Sequence, residues 1–449
     1  MKTLCIAIAI LIAYNTTTNA QANAPLSTID VLSYNYTITV QDATDSIYGK
    51  AIIQLKPLSN YRNVALNLQG ISTNGKGMLV TYVTALPSQK KLPYTHSNNV
   101  LTITADTSIQ QLYIAYQGIP SDGLIIGKNK FGSRTWFGDN WPNRAQHWLP
   151  CVDAPADKAT VNWTVQVPNT YSVTANGVLT QELNNANDTK VYTYTEAHPI
   201  PTKVMTIGVA QFQKSCNTTN SCVPICNLYY PETYATQPTK MQSSDSILLF
   251  FTNVIGAYPY AKLNNVQSTT MFGGMENANN IFYDENAIDG KANVDALIAH
   301  EIAHQWWGNT VTEKDYSHIW LSEGFATFFT NYYLEKKYGT DTLNKRLAAD
   351  AKKVKAFLKY NKRPVIDTTT DYMSLLNANS YEKGGLFLQA LRLQLGDAMF
   401  FNAIKKYYTM YKYKNVNTTD FKKMMTEVSG KNLDALFYKW LYTAELPGF

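Results

Sequence analysis

The feature that most limits what this chain can fold into is His300-Glu301-Ile302-Ala303-His304, followed 19 residues later by Glu323 in Trp320-Leu321-Ser322-Glu323-Gly324. On a helix, His300 and His304 stand at i and i+4 on one face, within reach of one cation, and Glu301 projects beside them. Apolar helical spacing leads in from Ala292, and Gly308 offers a stop, so the first two side chains sit on a helix over Val294–Trp307. Leu321–Lys337 reads as a second helix, apolar around much of its circumference, which carries Glu323 into a core near its first turn. A buried carboxylate without a partner is costly, and a metal supplies the partner. Two imidazoles and one carboxylate leave a fourth tetrahedral position for water, the arrangement of a catalytic zinc, one per chain.

Two further segments join this motif. Upstream lies Gly273-Gly274-Met275-Glu276-Asn277 and downstream Tyr381-Glu382-Lys383-Gly384. With them the chain resembles the gluzincin-type zinc aminopeptidases, the family of aminopeptidase N and leukotriene hydrolase. Trp148-Leu149-Pro150-Cys151-Val152-Asp153-Ala154-Pro155, with Lys158-Ala159-Thr160, is similar to a segment of that family's amino-terminal domain. The resemblance implies an α+β protein, an amino-terminal all-β domain followed by a mostly α, thermolysin-like zinc catalytic domain, in a short form without the family's carboxy-terminal helical domain. It implies Glu301 as general base and Tyr381 as the hydroxyl donor to the oxyanion. It also implies Gly273, Gly274, Met275, Glu276 and Asn277 as the substrate-binding edge, where Glu276 anchors a free α-ammonium and the glycines leave room for substrate backbone. Trp141 falls where many relatives carry an acidic residue or Gln, and Asn140 or Gln146 is expected to compensate. Asn309, Asp315 and His318 are candidates for support behind the ligands. The activity so implied is removal of amino-terminal residues from peptides. The alternatives are a peptidase with added epoxide hydrolase activity and a protein that captures peptides on the same fold without cleaving them.

Alternating runs rich in Val, Ile, Thr and Tyr, among them Tyr34–Val40, Ala51–Leu55, Val100–Ile103, Gln111–Tyr116 and Thr160–Val167, predict β structure to about residue 230. The period then changes. Helices are predicted over Ser243–Ala257, Val294–Trp307, Leu321–Lys337, Thr342–Leu358, Glu382–Leu395, Ala398–Tyr411, Thr419–Val428 and Leu433–Tyr442, with an edge strand at Gly273–Asn277 implied by the resemblance. The expected organisation is a signal peptide over 1–20, a β domain over 25–231 and a catalytic domain over 232–449.

Residues 1–20 read as a secretory signal, Lys2 preceding an apolar stretch from Leu4 to Ala13 that is about half of what spans a bilayer. The expected destination is a periplasm or the exterior, with no integral membrane segment once the signal is removed. Export makes a disulfide among Cys151, Cys216, Cys222 and Cys226 reasonable. Cys216–Cys222 across a polar turn is the preferred pairing, Cys216–Cys226 the second, and Cys151 is read as a small buried residue. A net charge of +6 over 449 residues is small, and the clusters Lys352-Lys353-Val354-Lys355 and Lys405 to Lys414 read as solvated helix faces rather than a nucleic-acid surface.

Overall fold

Strict alternation decides the amino-terminal half. Along the strand Ile29–Gln41, Tyr34, Tyr36, Ile38 and Val40 turn inward while their neighbours face out. In a computed structural model, which describes residues 28–218, 223–290 and 292–448, this strand lies at the centre of a seven-stranded sheet. The sheet runs Val178–Asn184, Thr189–Pro201, Lys158–Pro168, Ile29–Gln41, Thr44–Pro57, Gln111–Ile119, Gly77–Ala85. Its pairs are antiparallel except Ile29–Gln41 with Lys158–Pro168, which run parallel. Aromatic rings fill the space beneath, Tyr34 on Tyr36 at 5.3 Å, Tyr36 on Trp163 at 5.2 Å and Trp148 on Trp163 at 5.8 Å between ring centres. A four-stranded sheet of Ser172–Ala175, Ile207–Ala210, Arg134–Gly138 and Leu124–Lys128 turns this half toward the catalytic half.

The second half is built around a helix rather than a sheet. Trp320–Tyr338 is buried on every side from Trp320 through Leu334, as its apolar circumference requires. Asp295–His304 packs on one flank and Gly384–Leu395 on another. The closest crossing is at glycines, since a Cβ on Gly324 would stand 2.9 Å from the Cα of Gly384. No side chain fits between these two backbones, and their proximity is what brings the turn before Gly384 against Glu323. The other predicted helices form at Ser244–Ile255, Thr340–Tyr360, Asp397–Tyr411, Thr418–Ser429 and Asp434–Leu441. The chain is thus an α+β protein, a β-rich half followed by a helical catalytic half, and no helix among the described residues is long and apolar enough to cross a membrane. The expected signal over 1–20 lies outside the described residues.

A five-stranded sheet flanks the helices in the order Gln213–Thr218, Pro224–Tyr229, Leu263–Ser268, Asn280–Asp284, Gly274–Met275. Its inner three strands are parallel, and the two-residue strand Gly274–Met275 closes the edge antiparallel to Asn280–Asp284. The strand pair Gln213–Thr218 and Pro224–Tyr229, read from sequence with the β region, is therefore hydrogen-bonded into the sheet that borders the catalytic helices. The same strand pair corrects the preferred disulfide. Cys216 and Cys226 are direct partners in the antiparallel register, 4.1 Å apart at Cα, and are bridged, which displaces Cys216–Cys222. Cys222 lies outside the described residues. Cys151 is free and buried.

Candidate active site

The helix Asp295–His304 starts where Asn293 Oδ1 accepts the amide of Asp295, and it turns Glu301 and His304 inward, with His300 at the rim of a cavity. Glu323 comes from the first turn of the adjoining buried helix. Its Oε2 stands 3.3 Å from His300 Nε2 and 3.3 Å from His304 Nε2, and the two nitrogens are 3.2 Å apart. That near-equilateral triangle is what a tetrahedral ion with bonds of roughly 2.0–2.1 Å imposes on three of its donors. Glu323 Oε2 is buried without a hydrogen-bond partner, and a cation in the middle of the triangle would complete it. His304 is fixed from behind, Nδ1 lying 3.1 Å from the carbonyl of Trp307 and 3.0 Å from Ser322 Oγ. Donation from Nδ1 to the carbonyl turns the Nε2 lone pair toward Glu323, the tautomer a metal needs. The donor set and its spacing fit one zinc ion per chain, held by His300, His304 and Glu323.

Electrostatics point the same way. Burial pushes the Glu301 carboxyl well above the usual range, a shift that His304 opposes and that Glu276 and Glu323 reinforce. Burial works against a charge on His304, yet Glu323, Glu276 and Glu301 together push it up to about 10. Three buried carboxylates face one small cavity, and positive charge is what they favour.

The cavity, of about 260 Å³, is lined by Gly273, Gly274, Met275, Glu276, His300, Glu301, His304, Glu323 and Tyr381 from the expected set. Tyr381 sits in a single π-helical turn, Asn379–Lys383, the kind of helix irregularity that recurs at functional sites. Its ring stacks on His300 at 5.9 Å, and burial, followed by Glu323, Glu276 and Glu301, pushes its hydroxyl well above 10, so it keeps its proton and can donate. Glu276 is buried with Oε1 unpartnered, and its backbone carbonyl is held by Asn309 Nδ2 at 2.6 Å and Gln305 Nε2 at 3.2 Å.

Several expectations change. A Cβ on Gly274 would lie 2.5 Å from Cδ of Glu301, so this glycine also makes room for the carboxylate while lining the cavity, and Gly273 is open. Asn277, expected on the substrate-binding edge, is fully buried behind it and is not on the cavity wall. Neither Asn140 nor Gln146 compensates for Trp141. Asn140 bonds the carbonyls of Thr202 and Met205 and accepts from Trp148, and Gln146 Nε2 bonds the carbonyl of Asn143. Asp315 caps the turn at Ser317, and His318 meets Thr418, both away from the ligands. Gln305, Ser322 and the apolar residues Phe272, Leu297 and Leu376 were not singled out in the sequence. Gln305 and Ser322 each adjoin a ligand, and that adjacency was the available signal.

Comparison with known proteins agrees with this geometry. The peptidase M1 N-terminal domain model matches residues 31–204 and the peptidase family M1 domain model residues 239–440. Glutamyl aminopeptidase of Rattus norvegicus is 26% identical over 365 residues, covering 76% of this chain and 38% of the relative. Probable aminopeptidase 2 of Sulfurisphaera tokodaii is 24% identical over 397 residues, 84% of this chain and 49% of the relative. The chain thus spans less than half the length of these curated relatives. The crystal structure of an M1 zinc metallopeptidase from Deinococcus radiodurans shares the fold, with a TM-score of 0.79, 22% identity and coverage of 94% of this chain and 95% of that one. With both consecutive domain models of one family matched in order, and the fold shared end to end, this chain belongs to peptidase family M1.

Proposed function

We propose that the protein is a zinc-dependent aminopeptidase that hydrolyses the amino-terminal peptide bond of peptides. The observation that carries this reading is Glu276, a buried carboxylate with an unpartnered oxygen on the wall of the zinc cavity. A free α-ammonium matches it in charge and donors, and pairing the two sets the first peptide bond beside the metal ligands. Zinc, when bound by His300, His304 and Glu323, would polarise the scissile carbonyl and make water nucleophilic near neutral pH. Glu301 takes the water proton and passes it to the leaving amine. Tyr381 donates its hydroxyl to the oxygen on which negative charge develops. The edge strand Gly274–Met275 offers backbone groups to an extended peptide. Residues 1–20 support an exported enzyme, periplasmic or secreted.

The test compares specificity constants for one peptide, free and acetylated at its amino terminus, on the parent protein and on Glu276→Ala, with products identified by mass. Acetylation is expected to leave the peptide nearly inert, because it sets a neutral amide against a desolvated carboxylate. Glu276→Ala is expected to weaken the free peptide sharply and keep its zinc. Efficient internal cleavage of the acetylated peptide by the parent would overturn the aminopeptidase reading and leave the zinc hydrolase reading standing.

A further inference from the structure

The zinc ligands and carboxylates make up part of the cavity lining, and the rest of it has a different chemistry. Trp141, Phe272, Met275 and Leu376 line it together and belong to one contiguous apolar cluster with Tyr316 and Tyr372. Trp141 meets Phe272 edge-on at 6.3 Å and Tyr316 at 5.8 Å, and Tyr316 packs on Tyr372 at 4.6 Å. The wall is also held in place. The carbonyl of Trp141 accepts from Arg144 Nε at 2.7 Å, and the Tyr316 hydroxyl bonds the carbonyl of Pro142. No Lys or Arg among the described residues lines the cavity. Arg144 lies behind Phe272, 5.6 Å from its ring centre, with its guanidinium taken by Asp122 at 2.9 Å and Asp139 at 2.6 Å.

From this arrangement we propose that the wall of Trp141, Phe272, Met275 and Leu376 receives the first side chain of the substrate and selects a large, neutral, apolar or aromatic one while rejecting carboxylates. The inference rests on the aminopeptidase reading of the site and goes beyond it to the substrate class. Burial of an apolar side chain against this wall is favourable in proportion to area. An acidic side chain would lose hydration, find no counter-charge, and share a small space with Glu276, Glu301 and Glu323. The indole N–H of Trp141 has no acceptor, but one neutral donor does not offset a buried negative charge. The metal and the α-ammonium already compete for the three carboxylates, which leaves a cationic first side chain without a free counter-charge.

The experiment measures kcat/KM of the zinc-loaded full chain on aminoacyl amides carrying Leu, Met, Phe, Ala, Lys, Asp and Glu. Leu, Met and Phe are expected to exceed Ala and Lys by about tenfold or more, the range of apolar pocket discrimination, and Glu and Asp by about a hundredfold or more. Trp141→Ala is expected to cut the Phe-to-Ala ratio by about tenfold with zinc content retained. Leu376→Lys, at the half-buried rim, introduces the missing counter-charge and is expected to raise the Glu-to-Leu ratio by about tenfold, which tests the proposal independently should Trp141→Ala fail to fold. Glu or Lys matching Leu on the parent, or ratios unmoved in both folded variants, would overturn the assignment of this wall. A zinc-loaded protein that turns over no aminoacyl amide overturns the aminopeptidase reading itself, and the preference with it.

Discussion

The seam between the two halves and the cavity beside it both bury charge, but only the seam answers it with protein groups. At the seam Lys203 pairs with Glu313, both fully buried. Glu196 accepts from Asn279 Nδ2 at 2.6 Å, and Asn176 bonds the carbonyls of Val204 and Ala278. Among the described residues, buried carboxylate oxygens without a partner occur on Asp157, Glu276, Glu313 and Glu323. Glu313 has its other oxygen on Lys203, and Asp157 is pushed up to about 7 by burial and by Asp30. Glu276 and Glu323 face the cavity. Buried polar groups left unpaired cost stability, and in a native protein they survive where something from outside completes them. At the seam Lys203, Glu313 and Glu196 each meet a protein partner, whereas Glu276 and Glu323 turn unpartnered oxygens to the cavity, which separates a structural polar region from a functional one without reference to any motif.

If that contrast is right, changes in the cavity cost activity and changes at the seam cost stability. The largest effect is expected at Glu301. Glu301→Gln keeps the metal donors and loses the proton acceptor, so zinc content should stay near one per chain while turnover falls by about 10²- to 10⁴-fold. His304→Ala should instead lose the metal. Metal analysis beside kcat distinguishes the two, and full turnover by a zinc-loaded Glu301→Gln would remove Glu301 from the proposed role. At the seam, Glu313→Gln leaves the Lys203 ammonium buried without its counter-charge and should cost about 3–5 kcal/mol in denaturant unfolding, with kcat per zinc-loaded molecule little changed. A large loss of kcat at unchanged stability would erase the distinction between the two regions.

Tyr381→Phe probes the cavity with a smaller change, because the ring that stacks on His300 remains and only the donor goes. Turnover should fall by about 10²- to 10³-fold with little change in KM, since the hydroxyl acts where charge develops. An unchanged kcat would refute the donor assignment.

How much of this was legible in the sequence follows from distance along the chain. The helix of His300 and His304 and the buried helix of Glu323 are local patterns of period 3.6, and both formed within a few residues of their predicted bounds. The alternation in Ile29–Gln41 likewise fixed which side chains turn inward. Partnerships between distant segments were not legible. Nothing in Gly274 says that Glu301 will lie over it, or in Trp141 that it will face Met275 and Leu376. Cysteine spacing could not choose between Cys222 and Cys226, because the choice is a strand register. The resemblance implies Asn277 on the substrate edge, but the strand Gly274–Met275 ends before it and Asn277 is buried.

The smallest predicted effect lies at Ser322, where the cavity borrows from its surroundings as the seam does. His304 Nδ1 has two partners, the carbonyl of Trp307 at 3.1 Å and Ser322 Oγ at 3.0 Å. The carbonyl can only accept, so it alone suffices to keep the proton on Nδ1 and the lone pair on Nε2. Ser322 adds a second restraint on the ring, and its removal costs orientation rather than tautomer. Ser322→Ala is therefore expected to weaken zinc by no more than about tenfold, the low end for a group behind a metal ligand, with kcat of the loaded enzyme preserved. Competition with a chelator of known affinity reads this directly. A hundredfold loss would mean that the hydroxyl, not the carbonyl, sets the state of His304, and that the carbonyl contact is a consequence of the helix end rather than a restraint on the ligand.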